Sequence, residues 1–273
     1  QAVQLPRGNQ DQWSWRCLMP TALSIIPLQP FPLVEPGDDV AGLIAAALQA
    51  SGEELLAGDV LVIAQKIISK AEDRYVYLDE VEPGDSARAL AAETDKDPRQ
   101  VDLVLRESKE VLRSRPGVII VEHRNGYVHA NAGIDKSNIS IDGSRPRVLL
   151  LPEDADRSAA DLRAALADAF GVAPQIIIND SFGRAWRNGT VGVAIGCAGL
   201  APLYNQIGEQ DLFGNELEVT EAAVADELAA AASLVMGQAA EACPVVLVRG
   251  AQLAQADQDS KALLRAKSQD MFR

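Results

Sequence analysis

The 273-residue chain lacks most features that would place it outside the ordinary globular proteins. Its three cysteines are an odd number at spacings that match no zinc-ligand or CxxC pattern, which excludes a disulfide scaffold and predicts a reducing compartment, the cytoplasm. No apolar run reaches the roughly 18 residues that a membrane span needs, so a membrane partner is not expected. With only His123 and His129, histidine-based catalysis is poorly supplied. The sequence also has no P-loop, no GxGxxG opening a helix, no HExxH and no GxSxG.

Positive charge is also scarce. Lysine and arginine number 25 against 39 for aspartate and glutamate, a formal charge of −14. The electrostatic field of this net negative charge repels the phosphates of nucleic acids, so a nucleic-acid partner is not expected. An anionic substrate would need lysine or arginine clusters, or bound metal ions, at its site.

Short β-rich runs alternate with Ala/Leu-rich helical runs from Leu23 onward, which predicts a mixed α/β, or α+β, fold. Strands are expected in residues 23–28, 59–64, 148–152, 174–178 and 244–250, and helices in 38–51, 97–113, 158–170 and 219–237. A hairpin with a turn at Asn125–Gly126 is expected in residues 117–132. The last helix should place Val224, Leu228, Ala231 and Val235 on one stripe and use Gly237 as its C-cap.

The two ends of the chain differ from this pattern. Residues 1–18 are polar and lack the apolar core of a signal peptide, which favours an N-terminal extension or tag remnant. The alternative is an ordered arm packed by Trp13 and Trp15. Residues 19–255 form the main domain, and residues 256–273 are predicted to be a polar, frayed helical tail.

Polar residues follow several apolar runs, where side chains emerge at the ends of buried strands. Asp180 and Ser181 come directly after QIIIN, and Asp135 closes the run ANAGID with Asn138 three residues later. Carboxylate, hydroxyl and amide oxygens together suit Mg²⁺ or Mn²⁺. Taken singly, an aspartate in such a position is more often a turn or helix-cap residue.

Positively charged side chains also follow predicted strands. Lys66 and Lys70 follow the strand DVLVIA, and Arg184 and Arg187 follow IIINDSFG. In an acidic protein, cations and carboxylates at shared strand ends are typical of a metal-bridged polyphosphate site. Each alone is more often a solvated surface charge.

Several segments together resemble a known family. They are GDVLVIAQKIISKAE, VHANAGIDKSN, LLLPEDAD, IIINDSFGRAWRNGTVGVAIGCAG and DLFGNELEVTEAAVADELAAAASLVMGQA. In order from about Leu23 to Leu253, they look like the coenzyme F-420:L-glutamate ligases, also called F-420-0:gamma-glutamyl ligases. The resemblance makes residues 19–255 the ligase domain and implies two subdomains in an intertwined homodimer. It also implies GTP as co-substrate, two Mg²⁺ or Mn²⁺ ions per site, and often K⁺.

The resemblance also assigns site residues by motif. The first metal falls to Asp135 and Asp180, and the second to Ser181 and Gln238. Guanine-nucleotide contacts fall on Pro30, Phe31, Pro32, Leu33, Gln65, Lys66, Lys70, Asn138, Met236, Gly237, Gln238, Ala239, Ala240 and Glu241. Ser181 stands where threonine is common, Gln238 where some members have glutamate, and Asp73 where a turn glycine is usual.

The implied reaction joins L-glutamate to F-420-0 through an acyl phosphate made from GTP, with Lys66, Lys70 and Arg184 stabilising charge. Asp135 and Asp180 would take part in this catalysis through the metal ions. One alternative is a related ligase that joins an amino acid to a different carboxylic acid. Another is a dimer that binds nucleotide and metal without turnover, against which the intact carboxylate set argues.

Overall fold

The computed structural model describes residues 22–139 and 145–272. Its strands are β1 (Ser24–Pro27), β2 (Val60–Ala64), β3 (Tyr75–Tyr77), β4 (Ser108–Arg115), β5 (Val118–His123), β6 (Val128–Ala130), β7 (Arg147–Leu149), β8 (Gln175–Arg184), β9 (Arg187–Ala198), β10 (Tyr204–Asn205), β11 (Glu221–Ala222) and β12 (Val245–Arg249). Its α-helices are α1 (Val40–Ala50), α2 (Gln65–Ala71), α3 (Asp85–Thr94), α4 (Pro98–Arg106), α5 (Ala155–Phe170) and α6 (Val224–Met236). The predicted mixed α+β class is confirmed.

A five-stranded sheet in the order β1-β12-β2-β8-β9 forms the centre of the molecule. Only the β2–β8 pair is parallel, with Val62 opposite Ile177, and the other neighbours are antiparallel. Alternate residues of β2 and β8 enter two apolar clusters, one with α1, α2 and α5 and the other with α6. Because both faces are covered, these strands are continuous apolar runs, as the sequence predicted.

A second group of elements has its own apolar clusters. The sheet β4-β5-β6 packs with α3 and α4 around Val101, Val104, Ile119 and Val121, and a two-stranded sheet pairs β3 with β7. The predicted hairpin is present, because β5 pairs with β6 across a turn in which Gly126 has φ 103°. The polar contacts described below connect β6 to the central sheet.

The helix predicted over residues 97–113 was wrong in its second half. Asp97 caps α4 by accepting a hydrogen bond from the Arg99 N–H, but α4 ends at Arg106. Residues 108–115 instead form β4, in which Val111 lies opposite Val121 of β5. Pairing with a strand further along the chain therefore overrode the local helical spacing.

Two other helices differ in detail from the sequence prediction. Helix α5 begins at Ala155, three residues before the predicted start, because Asp154 accepts the capping hydrogen bond from the Arg157 N–H. Helix α6 begins at Val224, and Gly237 ends it with φ 72°. The fully buried stripe of α6 consists of Ala225, Leu228, Ala229, Ala232 and Met236; the predicted Val224, Ala231 and Val235 are half-buried.

The predicted frayed helix at the C-terminus is instead two short 3₁₀ turns, Ser260–Leu263 and Lys267–Gln269. Ser260 is buried, and its N–H and hydroxyl both donate to the Asp156 carboxylate. Lys267 forms an ion pair with Glu122 at 2.7 Å. The tail is thus attached to the body of the protein by polar contacts.

The N-terminal segment, the cysteines and the absence of a membrane span were also considered from the sequence. Residues 1–18, with Trp13 and Trp15, lie outside them. Cys197 and Cys243 are free and buried in the core. No helix within residues 22–139 or 145–272 has both the length and the apolar character to cross a bilayer.

Candidate active site

The predicted site residues meet at one edge of the central sheet. Strands β2 and β8 run parallel, and Ala64 at the end of β2 lies opposite Asn179 of β8. The carboxyl ends of parallel strands are a common position for ligand sites. A cavity of about 660 Å³ opens here. Its walls are the start of α2, the segment 129–139, residues 179–181 of β8, residues 31–35 and the loop after α6.

Asp135 is held by two neighbours on α2. Gln65 Nε2 donates to Asp135 Oδ2 at 2.8 Å, and Lys66 Nζ lies 3.3 Å from the same oxygen. The Ser69 hydroxyl donates to Gln65 Oε1 at 2.8 Å, which fixes the orientation of the amide. Burial raises the pKa of Asp135, the charge of Lys66 opposes this, and the charge of Asp180 raises it further. The net shift is upward, so ionised Asp135 costs free energy in the protein alone.

Asp180 has a different partner. The ring nitrogen Nε2 of His129, on β6, lies 3.0 Å from Asp180 Oδ2. His129 is not among the site residues that the sequence predicted. The two residues are 51 positions apart, and no local pattern signals the contact.

The two residues assigned to the second metal are in direct contact. The Ser181 hydroxyl donates to Gln238 Oε1 at 2.9 Å. Gln238 directly follows Gly237, where α6 ends, so the end of this helix brings the amide to β8. Glycine is favoured at 237 because its φ is positive and an added Cβ would collide with the Glu241 side chain.

The cations of the cavity come from α2. Lys66 Nζ also donates to the backbone oxygen and the hydroxyl of Ser137, each at 3.2 Å. Burial and the nearby charge of Lys66 lower the pKa of Lys70. A negatively charged ligand would relieve the repulsion between the two ammonium groups.

The proposed nucleotide segments are also connected. Asn138 Nδ2 donates to the backbone oxygen of Ala239 at 2.7 Å, which joins the segment after Asp135 to the loop after α6. The cavity wall includes the predicted Phe31, Pro32, Leu33, Gln65, Lys66, Lys70, Asn138, Met236, Gly237, Gln238, Ala239, Ala240 and Glu241. Pro30 is adjacent to this wall and does not line it.

Arg184 is the predicted catalytic residue that the structure does not bring to the cavity. It lies at the end of β8, where the chain turns into β9, and its Nη1 donates to the backbone oxygen of Gly189 at 3.2 Å. The strand continues past Ser181 as a hairpin, which carries the guanidinium away from the carboxylates. Proximity in sequence to IIINDSFG was therefore not sufficient to predict its position.

The donors in the cavity fit a hard divalent cation. Asp135 and Asp180 supply carboxylates, and Ser181 and Gln238 supply neutral oxygens, which are the ligand types that Mg²⁺ and Mn²⁺ prefer. Oδ1 of each aspartate has no hydrogen-bond partner among residues 22–139 and 145–272. Within those ranges, no group of three or more His, Cys, Asp or Glu side chains could hold a metal, so an ion here would depend on neutral oxygens and phosphate as well.

Comparisons with known proteins show the family of the chain. The family model F420-0:Gamma-glutamyl ligase matches residues 30–250. The coenzyme F420:L-glutamate ligase of Methanothermobacter thermautotrophicus is 47% identical over 253 residues, covering 92% of this chain and 99% of that protein. The enzymes of the same name from Methanopyrus kandleri and Archaeoglobus fulgidus are 45% and 40% identical, each covering 92% of this chain and 99% and 96% of those proteins. The chain belongs to the F420-0:gamma-glutamyl ligase family.

Proposed function

We propose that this protein is a GTP-dependent ligase that joins L-glutamate to coenzyme F-420-0 through an acyl phosphate. The observation that carries the proposal is that one cavity brings together two lysines and two aspartates, namely Lys66, Lys70, Asp135 and Asp180. The chain that forms this cavity belongs to the ligase family. The relatives are named for ligation of L-glutamate to coenzyme F420. A site with paired cations and carboxylates suits a substrate that brings a triphosphate and its metal ions.

The reaction needs phosphoryl transfer and then acyl transfer. A carboxylate oxygen of F-420-0 attacks the γ-phosphorus of GTP, the bond to the β-phosphate oxygen breaks, and GDP leaves. The amine of L-glutamate then attacks the activated carbonyl carbon. The carbon–oxygen bond to the phosphate breaks, so phosphate leaves as the amide forms and the amine loses its proton.

The residues of this chain would bind and align the reactants. Lys66 and Lys70 would pair with phosphate oxygens and stabilise the charge that moves during transfer. Asn138 and the loop 236–241 would hold the nucleotide. The shortage of histidine fits this chemistry, because phosphoryl transfer depends on position and charge more than on proton transfer.

Two divalent ions, Mg²⁺ or Mn²⁺, are part of the proposal, and K⁺ is proposed as a further cation. Asp135 and Asp180 would hold the first divalent ion, and Ser181 and Gln238 the second. When bound, the ions neutralise the triphosphate charge and favour an in-line geometry. The raised pKa of Asp135 is consistent with a carboxylate placed for an ion, because a cation would lower it again.

A homodimer is also proposed. Large apolar side chains lie exposed on the single chain, among them Leu234 of α6 at 85% and Phe213 at 87% exposed. A second copy of the chain covering such residues would remove apolar surface from water.

The test is a mass-spectrometric ligation assay on the purified protein with F-420-0, L-glutamate, GTP and Mn²⁺. The expected product is F-420-0 extended by one glutamyl residue, formed only when GTP and divalent metal are both present. Replacing F-420-0 by a panel of other carboxylic acids tests the alternative ligase. GTP binding without any product from any acid would contradict the proposal and favour the non-catalytic dimer.

A further inference from the structure

The contact between His129 and Asp180 is shielded from water. Their side chains are only 10% and 14% exposed, and the Nε2–Oδ2 distance is 3.0 Å. An ionised carboxylate only accepts hydrogen bonds, so Nε2 must carry the proton that it donates. Charge-assisted bonds of this kind are about twice as strong as bonds between neutral groups.

Aromatic packing fixes the histidine ring. The rings of His129 and Phe182 tilt at 57° with their centroids 3.9 Å apart, and Phe182 is itself buried. Phe182 lies two residues after Asp180 on β8, so both side chains leave the same face of the strand. Tyr127 also packs edge-on against Phe182, with ring centroids 6.4 Å apart. The ring that donates to Asp180 therefore has little freedom to turn away.

Both proposed metal carboxylates are held in the same way. Gln65 Nε2 donates to Oδ2 of Asp135, and His129 Nε2 lies at hydrogen-bond distance from Oδ2 of Asp180. Oδ1 of each aspartate accepts no hydrogen bond from the part of the chain that the structure describes. One oxygen of each carboxylate is thus occupied by an N–H group, and the other is left for a ligand.

We propose that His129 is a positioning residue that holds the Asp180 carboxylate by Oδ2 and so leaves Oδ1 available to a divalent ion. This inference rests on the proposed function, which supplies the ion. The terminal torsion of an aspartate is broad, so an unrestrained carboxylate would lose rotational freedom on binding the ion. The hydrogen bond from His129 restricts that freedom before the ion arrives.

The test measures Mn²⁺ binding to the full-length protein in the presence of GDP, from the loss of the free-Mn²⁺ electron paramagnetic resonance signal beyond the loss that GDP alone causes. His129→Leu removes the donor, His129→Gln keeps an N–H donor, and Asp180→Asn removes the charge. Tyr127→Phe is the matched control, because Tyr127 packs on the same Phe182 ring but donates to the backbone oxygen of Ile195 and not to Asp180.

The expected result is a 10- to 100-fold weaker Kd for His129→Leu, as outer partners of metal ligands typically cause. His129→Gln should recover most of that loss, and Tyr127→Phe should lower the Tm without changing the Kd. Wild-type affinity in His129→Leu, with affinity lost in Asp180→Asn, would overturn the role of His129 and leave the metal assignment standing. Wild-type affinity in Asp180→Asn, or no Mn²⁺ binding by the wild type, would overturn the metal assignment and the inference with it.

A second measurement does not depend on the folding of a variant. Long-range proton–nitrogen spectra of the wild-type protein report which ring nitrogen of His129 carries a proton. The inference expects a proton on Nε2. An unprotonated Nε2 would overturn it, because two acceptors cannot share a hydrogen bond.

Discussion

At the scale of single residues, Asp135 bears a cost that serves its proposed role. Burial and the charge of Asp180 raise its pKa above the usual value, despite the opposing charge of Lys66. A carboxyl whose pKa is raised by folding contributes most stability when protonated, and that contribution is lost as the pH rises through its folded pKa. At neutral pH and without metal, ionised Asp135 therefore destabilises the protein.

Asp135→Asn should accordingly raise the free energy of unfolding at pH 7 in metal-free buffer, by on the order of 1 kcal/mol. Ligation should fall to background in the same variant. Thermal melting across pH checks the first point: the difference between variant and wild type should shrink as the pH falls and wild-type Asp135 becomes neutral. A variant with full ligase activity would refute the role of Asp135.

The pKa of Glu107 is shifted in the opposite direction, below its usual value. Burial raises its pKa, but His123, whose Nε2 lies 3.6 Å from the carboxylate, and the charges of Arg124 and Arg74 outweigh burial and leave the pKa lowered. Its contribution is present above the unfolded pKa, near 4.5, and is lost as the pH falls through the folded pKa. Glu107→Gln leaves these partners without their carboxylate and should cost about 3 kcal/mol. Urea unfolding at pH 7 measures this loss. The difference in the free energy of unfolding between variant and wild type should become smaller under acidic conditions.

At the scale of elements, the contact between α6 and β9 depends on a missing side chain. A Cβ at Gly192 would collide with the backbone oxygen of Ala229 and the hydroxyl of Ser233, both on α6. Gly192→Ala should therefore push α6 from the sheet and destabilise the protein by about 1–3 kcal/mol. Gly183→Ala is the control, since nothing lies within 4 Å of its added Cβ. Equal urea midpoints for both variants would contradict this packing.

Sequence patterns predicted the helices and strands that depend mainly on their own residues. Strands β2 and β8 were predictable because burial on both faces requires continuous apolar residues. Strand β4 was missed because Val111 continues a helical spacing while its structure comes from pairing with β5. In α6, alanines at many positions mean that hydrophobicity alone does not identify the buried face. In the structure, the face that contains Ala229 packs closely against Gly192 of β9.

The candidate site divides in the same way. Asp135 and Asp180 could be predicted because each follows an apolar run. Assigning roles to Gln238 and to the loop after α6 required the family resemblance, since nothing in their composition marks them. His129 reaches Asp180 from another sheet, and Arg184 leaves the cavity along a hairpin; both facts depend on tertiary structure.

At the scale of the whole molecule, the proposed homodimer predicts a sedimentation behaviour. The wild-type protein should sediment as a dimer at micromolar concentration. Leu234→Glu would place a charge on exposed apolar surface of α6 and should shift the equilibrium toward monomer if that face is covered by the second copy. Fully active wild-type protein sedimenting as a monomer would contradict the dimer.

The proposed reaction in this cavity activates a carboxylate as an acyl phosphate before the amine attacks. Its most direct test starts from F-420-0 labelled with oxygen-18 in the reacting carboxylate, incubated with the protein, GTP, Mn²⁺ and L-glutamate. Because the carbon–oxygen bond breaks when the amine attacks, we expect one labelled oxygen in the phosphate released for each amide formed. Amide product accompanied by unlabelled phosphate would contradict it.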